Sequence, residues 1–438
     1  MTKFDPTGHF APHGMMAAPE TRRLFSVLAR RGGTARFVGG CVRDALLARE
    51  LVDVDIACDL KPEATMAALK DAGIRVIPTG LQHGTITALI NDYSYEVTTL
   101  RVDVTTDGRH ADVAFTDNWL LDAKRRDFTF NALYADIDGT LYDPFHGEAD
   151  LRIGKVRFIG VAEDRIAEDY LRILRFFRFF AHYGRPPIDP VGAEACRKGV
   201  MGLRDISSER IRDEMFKLLR AKSPAATIGD MIGFSVLPPI LPELTNVARL
   251  RIVEWLETTA LQDAAISIDP LRRMAALFMT DKSGDDAIAH AAQFARSLRL
   301  SNDEIERFSL MCVSHHLIDN EMDGQRIRRH LYHMGVSAFR DAVIMAWGTH
   351  ATRSGRPKPG ENRRWQDMLE MANGWQQPEF PVKGRDILQA KLVPAGPEMG
   401  RLLRRAEQYW LEHDMQPDHD MLMDYLAAYV ADPSQEIK

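Results

Sequence analysis

The sequence predicts an α+β protein in which a mixed N-terminal domain precedes a helical remainder. Up to about residue 160, short runs rich in β-branched and aromatic residues alternate with helical patterns. From Glu163 onward the apolar residues recur at helical spacing, and strand signals become few. The chain has 438 residues, more than one hydrophobic core usually holds, so two or more domains are expected.

The strand-like runs of the N-terminal part are bounded by Gly, Asp or Asn. They read FVGG, VDVDIAC, ITALI, YEVTTL and LYADI. The first of them leads into a helical pattern whose apolar residues Val42, Ala45 and Leu46 fall on one face. A second helix start is predicted at Ser207, where Ser-Ser-Glu-Arg precedes an apolar face.

Composition excludes several classes of protein. No apolar run is long enough to span a bilayer, and the first residues lack the apolar core of a signal peptide. The net charge of −6 argues against a tail-driven nucleic-acid binder but is compatible with a local basic groove. The four cysteines are far apart and form no CxxC pair, so a reducing cytoplasm is expected rather than a disulfide framework or a zinc site.

Two acids interrupt the second strand-like run. Asp53 and Asp55 project from one face of a strand, while Val54 and Ile56 face the other side. Carboxylates held side by side repel each other, and a hard divalent ion such as Mg²⁺ would relieve that repulsion. Taken alone, the pair also fits a strand end with two solvated acids.

A glycine turn precedes the acid pair. Gly39 and Gly40 follow an apolar strand and begin a helix, and Arg43 lies in its first turn. Glycines let the backbone approach a phosphate, amides at a helix start favour anions, and arginine adds a forked donor pair. With the acid pair about a dozen residues later, the segment predicts a site for a metal and a triphosphate.

The arrangement GGxVRDxLL followed by DxD resembles the polymerase-β-like nucleotidyltransferases. Within them it is similar to the class II tRNA nucleotidyltransferases, which are the CCA-adding enzymes and their poly(A) polymerase relatives. Ala111 departs from the motifs of this family, because a proline is common at its position. The further matching motifs are Thr79-Gly80 with His83-Gly84-Thr85, Glu96-Val97-Thr98-Thr99, Asp107-Gly108-Arg109-His110, RRDFTFNAL at 125–133, and Asp143-Pro144-Phe145 with Gly147 and Asp150-Leu151.

The resemblance implies three parts: a nucleotidyltransferase head over residues 1–158, a helical neck with a nucleotide template over 159–225, and a helical body and tail over 226–438 that bind tRNA. It implies attack of an RNA 3′-hydroxyl on the α-phosphate of a nucleotide, with pyrophosphate leaving and two Mg²⁺ ions assisting. Asp53 and Asp55 are then the metal ligands. Glu96 is either a third ligand or a surface strand residue, and Arg126 is implied as a phosphate contact.

The second informative segment runs from Glu168 to Phe180. Arg172, Arg175 and Arg178 recur every three residues among apolar side chains, and Asp169 lies three residues before the first. Helical spacing would place Asp169 and Arg172 in one polar patch of a largely buried helix, where arginines need partners. An ion-pair ladder that only stabilises the fold is one interpretation.

Base recognition is the other interpretation. Cytosine and adenine both present an unprotonated ring nitrogen beside an amino donor, whereas guanine and uracil present a ring N–H beside a carbonyl. One carboxylate and one guanidinium could therefore select C and A. The resemblance assigns this template role to Asp169 and Arg172, with Arg175 and Arg178 as neighbouring nucleotide or structural contacts.

The motifs together predict template-independent addition of CCA to the tRNA acceptor end from CTP and ATP. A CC-adding or A-adding specialist and a poly(A) polymerase use the same chemistry and are the nearest alternatives. A non-catalytic RNA-binding relative is the alternative from another class. The intact acid pair, glycine turn and template argue against it, because two adjacent carboxylates are costly to keep without a cation.

Overall fold

The computed structural model describes residues 4–51, 53–106, 111–261, 266–354 and 359–431. They divide into two compact units. The first consists of Met1–Val247 with two short pieces, Ile268–Pro270 and Ser297–Arg299, and the second contains the rest. The loop motif at residues 107–110 lies outside the described residues.

The first unit contains the strands. Within the described residues, eight of them form one sheet in the order β1-β10-β9-β2-β3-β6-β5-β4, and β7 pairs with β8 in a separate ribbon. Each of the five predicted strand runs contains a strand. The strands are β1 (Pro6–His9), β2 (Ala35–Val38), β3 (Asp55–Cys58), β4 (Arg75–Gly80), β5 (Thr85–Ile90), β6 (Tyr93–Thr99), β7 (Arg101–Thr106), β8 (Ala111–Phe115), β9 (Tyr134–Ala135) and β10 (Thr140–Tyr142).

Helices connect the strands of the first unit and make up its C-terminal part. The helix predicted after the Ser207 cap is present, and the Ser207 hydroxyl accepts from the Arg210 N–H. The helices are α1 (Pro19–Arg30), α2 (Gly40–Leu46), α3 (Pro62–Asp71), α4 (Trp119–Lys124), α5 (Gly147–Ile153), α6 (Ala162–Glu168), α7 (Leu171–Tyr183), α8 (Pro190–Gly199), α9 (Ser208–Leu219) and α10 (Pro224–Gly233).

The second unit is helical over its described residues. Its helices are α11 (Val247–Trp255, which begins at the unit boundary), α12 (Pro270–Leu277), α13 (Gly284–Ser297), α14 (Asn302–Val313), α15 (Gly324–Ser354), α16 (Glu361–Asn373), α17 (Gly384–Gln389), α18 (Pro397–Glu412) and α19 (His419–Ala431). Helix α15 is interrupted at Gly335, where φ is +74°. The predicted fold class, a mixed N-terminal part followed by helices, is confirmed.

An aromatic layer packs α7 against the segments that follow α4 and α5. Phe176 of α7 stacks on Phe158 with ring centroids 5.5 Å apart, and Phe179 meets Phe128 edge to face at 5.3 Å. All four rings are at most 7% exposed. Each such pair adds about 0.5–1.5 kcal/mol beyond its buried area. This packing holds the polar residues of α7 in place beside those two segments.

None of the helices in the described ranges is both long enough and apolar enough to cross a membrane.

Candidate active site

The acid pair lies at the beginning of strand β3, where Asp55 is the first strand residue. Val54 and Ile56 are 1% and 0% exposed, whereas Asp53 and Asp55 are exposed to solvent, as the predicted alternation requires. Strand β6 runs parallel to β3 and places Glu96 at the register position of Asp55. Partial desolvation raises the pKa of Asp55, and the Glu96 and Asp53 carboxylates raise it further.

The donor chemistry of these acids fits Mg²⁺. Desolvation is the largest cause of the raised pKa of Asp55, and repulsion from the Glu96 and Asp53 carboxylates adds to it. A hard cation with oxygen ligands relieves such repulsion. Within the part of the chain that the structure describes, no three His, Cys, Asp or Glu side chains are already arranged as a metal site. The residue types fit the ion, whereas a coordination geometry is not preformed there.

The glycine turn connects β2 to α2. Gly39 has φ +68° and ψ −115°, a conformation that side chains disfavour. A Cβ on Gly39 would lie 3.4 Å from Nη1 of Arg126, so the turn brings the backbone close to that guanidinium. Gly40 begins the helix, and Arg43 follows within its first turn. The Arg43 side chain is 9% exposed and donates to Oδ1 of Asn131 at 2.7 Å.

Asp122 holds the paired arginines of the RRDFTFN segment. Its carboxylate accepts from Arg125 at 2.8 Å, from Arg126 at 3.1 Å and from the Tyr134 hydroxyl at 2.6 Å. Burial opposes ionisation, yet Arg126 and Arg125 hold the pKa of Asp122 well below its usual range. Sequence reasoning missed Asp122. Its spacing of three and four residues from the two arginines was the available signal.

Asp127 connects this segment to helix α7. Its Oδ2 accepts from Arg175 at 2.6 Å, and its Oδ1 accepts from the Asn131 amide at 2.9 Å. Although burial opposes the shift, Arg175 and Asn131 lower the pKa of Asp127 to about 2. Asp127 and Asn131 thus brace the segment, and Asp127 also binds an arginine of the helix.

Asp169 does not share a helix with Arg172. Helix α6 ends at Glu168 and α7 begins at Leu171, so the prediction of one patch formed by helical spacing was wrong. The Asp169 backbone is extended, and Oδ1 accepts the Leu171 N–H at 3.1 Å, a local bond with which aspartate competes against helix formation. Oδ2 accepts from Arg210 at 2.9 Å, while Arg172 binds Glu168 at 2.5 Å.

The remaining two arginines of α7 have carboxylate partners. Arg178 Nε lies 3.0 Å from Oε2 of Glu214, whose other oxygen lies 3.9 Å from Arg175 Nη1. Glu214 belongs to α9 and is 4% exposed. The prediction that arginines on this buried helix need partners is therefore confirmed. Glu214 itself was missed, although its position on the apolar face of α9 between Ile211 and Leu218 marks it as a buried acid.

One cavity of about 770 Å³ collects most of the predicted site. Asp53 and Glu96 are not among its lining residues, whereas Asp55 is. Ten Arg or Lys side chains and three Asp side chains from the described residues line it, a balance that attracts a polyanion. The predicted residues that line it are Gly39, Gly40, Arg43, Asp55, Arg126, Asp169, Arg172, Arg175 and Arg178.

Comparisons with known proteins bear on the same regions. Residues 35–157 match the poly A polymerase head domain, and residues 187–247 match the probable RNA and SrmB-binding site of polymerase A. The mouse protein named mitochondrial CCA tRNA nucleotidyltransferase 1 is 34% identical over 428 residues, which cover 94% of this chain and 92% of the mouse protein. This chain belongs to the CCA-adding tRNA nucleotidyltransferase family.

Other members of the family have similar sequences and structures. The CCA-adding enzyme of Lactiplantibacillus plantarum is 30% identical over 426 residues, covering 93% of this chain and 95% of that protein. The crystal structure of the Bacillus stearothermophilus CCA-adding enzyme in complex with CTP superposes with a TM-score of 0.74 at 26% identity, over 93% of this chain and 96% of that one. The similarity to CCA-adding enzymes thus extends over nearly the whole chain.

Proposed function

We propose that this chain adds CCA to the 3′ end of tRNA, using CTP and ATP and releasing pyrophosphate. The observation that carries the proposal is the single cavity onto which Asp55, the glycine turn and the arginines of α7 open. An acid for metal binding, donors for phosphates and groups for base recognition are the three parts that transfer of a selected nucleotide requires.

Asp53 and Asp55 are proposed to hold Mg²⁺, with Glu96 as a further candidate ligand. When bound, Mg²⁺ would favour ionisation of the RNA 3′-hydroxyl and offset negative charge on the pyrophosphate that leaves. The pairing of Glu96 with Asp55 across β6 and β3 supports the assignment of Glu96. The backbone that carries Asp55 and Glu96 is fixed by packing, because the next residue of each strand, Ile56 or Val97, is buried in the core.

Phosphate binding is assigned to Gly39, Gly40, Arg43 and Arg126. The turn exposes backbone to the cavity, and both guanidiniums line it. Asp122 and Tyr134 hold Arg126, and Asn131 holds Arg43, so the donors are oriented before the nucleotide arrives. Donors fixed in advance bind an anion without the cost of ordering flexible side chains.

Base selection is assigned to Asp169 and Arg172, with Arg175 and Arg178 beside them. Asp169 and Arg172 come from different backbone segments, yet both line the cavity. Asp169 offers an acceptor for the amino group of C or A, and Arg172 offers a donor for the ring nitrogen. Guanine and uracil would instead place a ring N–H against the Arg172 donor and a carbonyl against the Asp169 acceptor. Each buried group left without a hydrogen bond costs about 1–3 kcal/mol.

The remaining assignments concern the domains, tRNA and the compartment. Residues 1–158 are proposed as the head, 159–225 as the neck with its template, and 226–438 as the body and tail that grip the tRNA acceptor end through backbone contacts and shape. Because the chain is net acidic, such binding relies on local Lys and Arg side chains and weakens with salt. The four free, buried cysteines support a reducing compartment such as the cytoplasm.

The direct test uses tRNA that lacks its CCA end, and a second tRNA that already ends in CC serves for the ATP reaction. The purified protein is incubated with this tRNA and with each nucleoside triphosphate alone, then with CTP and ATP together. CTP alone should extend the tRNA by two residues, ATP alone should extend only a tRNA that already ends in CC, and the mixture should complete CCA. Sequencing the 3′ ends resolves these products.

The same experiment separates the alternatives. A CC-adding specialist would stop after two cytidines in the mixture, and an A-adding specialist would extend only the CC-ending tRNA. A poly(A) polymerase would add runs of adenosine with ATP alone. A non-catalytic RNA-binding relative would bind the tRNA and leave every substrate unextended.

A further inference from the structure

Tyr183 ends helix α7 and contacts the helix that follows the glycine turn. Its hydroxyl donates to Oδ1 of Asp44 at 2.9 Å. The guanidinium carbon of Arg43 lies 4.2 Å from the centroid of the Tyr183 ring. Arg43 also donates through Nη2 to Oδ2 of Asp44 at 3.0 Å. Tyr183, Arg43 and Asp44 therefore form a closed set in which each side chain contacts the other two.

These contacts determine which donors of Arg43 remain for a ligand. A guanidinium has five N–H groups. Within the described residues, Asp44 receives bonds from Nε and Nη2 of Arg43, and Asn131 receives one from Nη1. Two N–H groups are left for an anion, and Arg43 lines the cavity. The aromatic face covers the guanidinium without using any of its donors.

Arg49, which lies just after helix α2, adds a second link to the end of α7. Its guanidinium carbon lies 4.4 Å from the Tyr183 ring centroid, and Nη2 donates to the backbone oxygen of His182 at 3.0 Å. The C-terminal end of α7 is thus attached to the segment after the glycine turn by stacking and hydrogen bonds. The same helix presents Arg172 and Arg175 to the cavity nearer its N-terminus.

We propose that Tyr183 is a positioning residue that holds Arg43 ready for the phosphates of the incoming nucleotide. The inference rests on the proposed function, since it concerns the triphosphate that this function uses. A long arginine side chain loses rotamer freedom when it binds, and a stacked, hydrogen-bonded arginine has lost that freedom already. The phosphates are common to CTP and ATP, so Tyr183 should affect both equally and leave base selection unchanged.

The test compares Tyr183→Phe and Tyr183→Leu with matched changes at Tyr142. Tyr142 makes the same set of contacts outside the cavity: its hydroxyl donates to Asp136 at 2.7 Å, and Arg36 lies 3.9 Å from its ring centroid. Arg36 and Asp136 also pair at 2.8 Å, as Arg43 and Asp44 do. Neither Tyr142 nor its two partners lines the cavity. Tyr142→Phe and Tyr142→Leu therefore control for loss of the same chemistry elsewhere in the unit.

Steady-state incorporation, titration with inorganic pyrophosphate and thermal melting are measured for each variant. Loss of the stacking face in Tyr183→Leu should raise KM for CTP and for ATP by about 10-fold and weaken pyrophosphate binding by a similar factor. Tyr183→Phe keeps the face and loses one hydrogen bond, so about a threefold change is expected. The ratio of UTP to CTP use, the KM for tRNA and kcat should stay close to the wild-type values.

Unchanged pyrophosphate binding in Tyr183→Phe and Tyr183→Leu would overturn the inference. A shift in the UTP to CTP ratio, or equal losses from the Tyr142 variants, would overturn it as well. If Tyr183→Leu does not fold, Tyr183→Phe decides through its pyrophosphate affinity. Failure of the wild type to extend tRNA would reject the proposed function instead, and pyrophosphate titration would still show whether Tyr183 positions Arg43 for an anion.

Discussion

Asp55 and Glu96 occupy the same register position on two adjacent parallel strands, β3 and β6. Residues at matching positions of neighbouring strands project from the same face of a sheet. Two acids from segments about forty residues apart in the chain are therefore brought side by side, and Asp53 lies two residues before one of them. The electrostatic cost of this arrangement leads to the first two predictions.

Asp55→Asn should reduce nucleotide incorporation by at least about 100-fold without destabilising the protein at neutral pH. The pKa of Asp55 is raised in the folded state, so ionisation of this carboxyl lowers the free energy of unfolding. The protonated carboxyl carries no such cost below the unfolded pKa, and stability is lost as pH rises through the folded pKa. The variant should therefore melt at or above the wild-type temperature at pH 7, with the difference shrinking towards pH 4. A lower melting temperature at pH 7 would contradict this.

Mg²⁺ should stabilise the wild type and not the Asp53→Asn/Asp55→Asn double variant. A ligand that binds only the folded state at 100 times its Kd adds about 2.7 kcal/mol to the free energy of unfolding. Melting with and without MgCl₂ measures the effect, and EDTA should abolish incorporation by the wild type. Glu194→Gln, which changes an acid that is 43% exposed and paired with Arg197, is the control and should respond to Mg²⁺ as the wild type does.

Arg172→Ala should lower the preference for CTP and ATP over UTP and GTP by roughly 5- to 150-fold, because an unpaired hydrogen-bonding group costs about 1–3 kcal/mol. Relative use of UTP should rise most clearly. Incorporation of all four nucleotides is measured beside a thermal melt. Arg197→Ala removes an exposed arginine with an equivalent ion pair and should change no ratio. If the Arg172→Ala variant folds and uses the four nucleotides in the same ratios as the wild type, Arg172 has a structural role only.

Asp127→Asn should cost about 2 kcal/mol of folding free energy at pH 7, because the folded pKa of Asp127 is lowered to about 2. A lowered pKa contributes stability above the unfolded value, near 4, and that contribution is lost as pH falls through the folded value. Urea unfolding at pH 7 and at successively lower pH measures it: the difference between wild type and variant should narrow below about pH 4. If the difference in unfolding free energy is the same at every pH, the loss of stability comes from altered packing rather than from the charge of Asp127.

The cysteines should resist thiol reagents in the folded protein. All four are buried, and burial raises the pKa of Cys41 to about 12 and that of Cys58 to about 11. Because the thiolate is the reactive form, modification at pH 8 should be slow until the protein unfolds. Mass spectrometry after labelling with and without urea counts the modified thiols. Rapid labelling of Cys41 without urea would indicate local opening behind the acid pair.

Local pattern was sufficient to predict several parts of the site. Alternation predicted that Asp53 and Asp55 share a face, and Val54 and Ile56 are buried as that alternation requires. Two glycines between an apolar strand and a helical pattern predicted the glycine turn, and Gly39 has the positive φ that a residue without a side chain accepts. The apolar residues on every side of α7 predicted a buried helix. These inferences use the regular repeat of side-chain direction along a strand or a helix, which involves only residues that are close in sequence.

Partners between distant segments were decided by tertiary packing. Asp169 and Arg172 lie three residues apart, yet Asp169 binds Arg210 and Arg172 binds Glu168, because the helix begins only after Asp169. Glu214 and Tyr183 likewise acquire their partners only when α7 packs against other helices. Sequence spacing specifies neighbours along one element. Which buried charges meet across elements depends on how those elements pack, since each buried charge must find a partner in the folded chain.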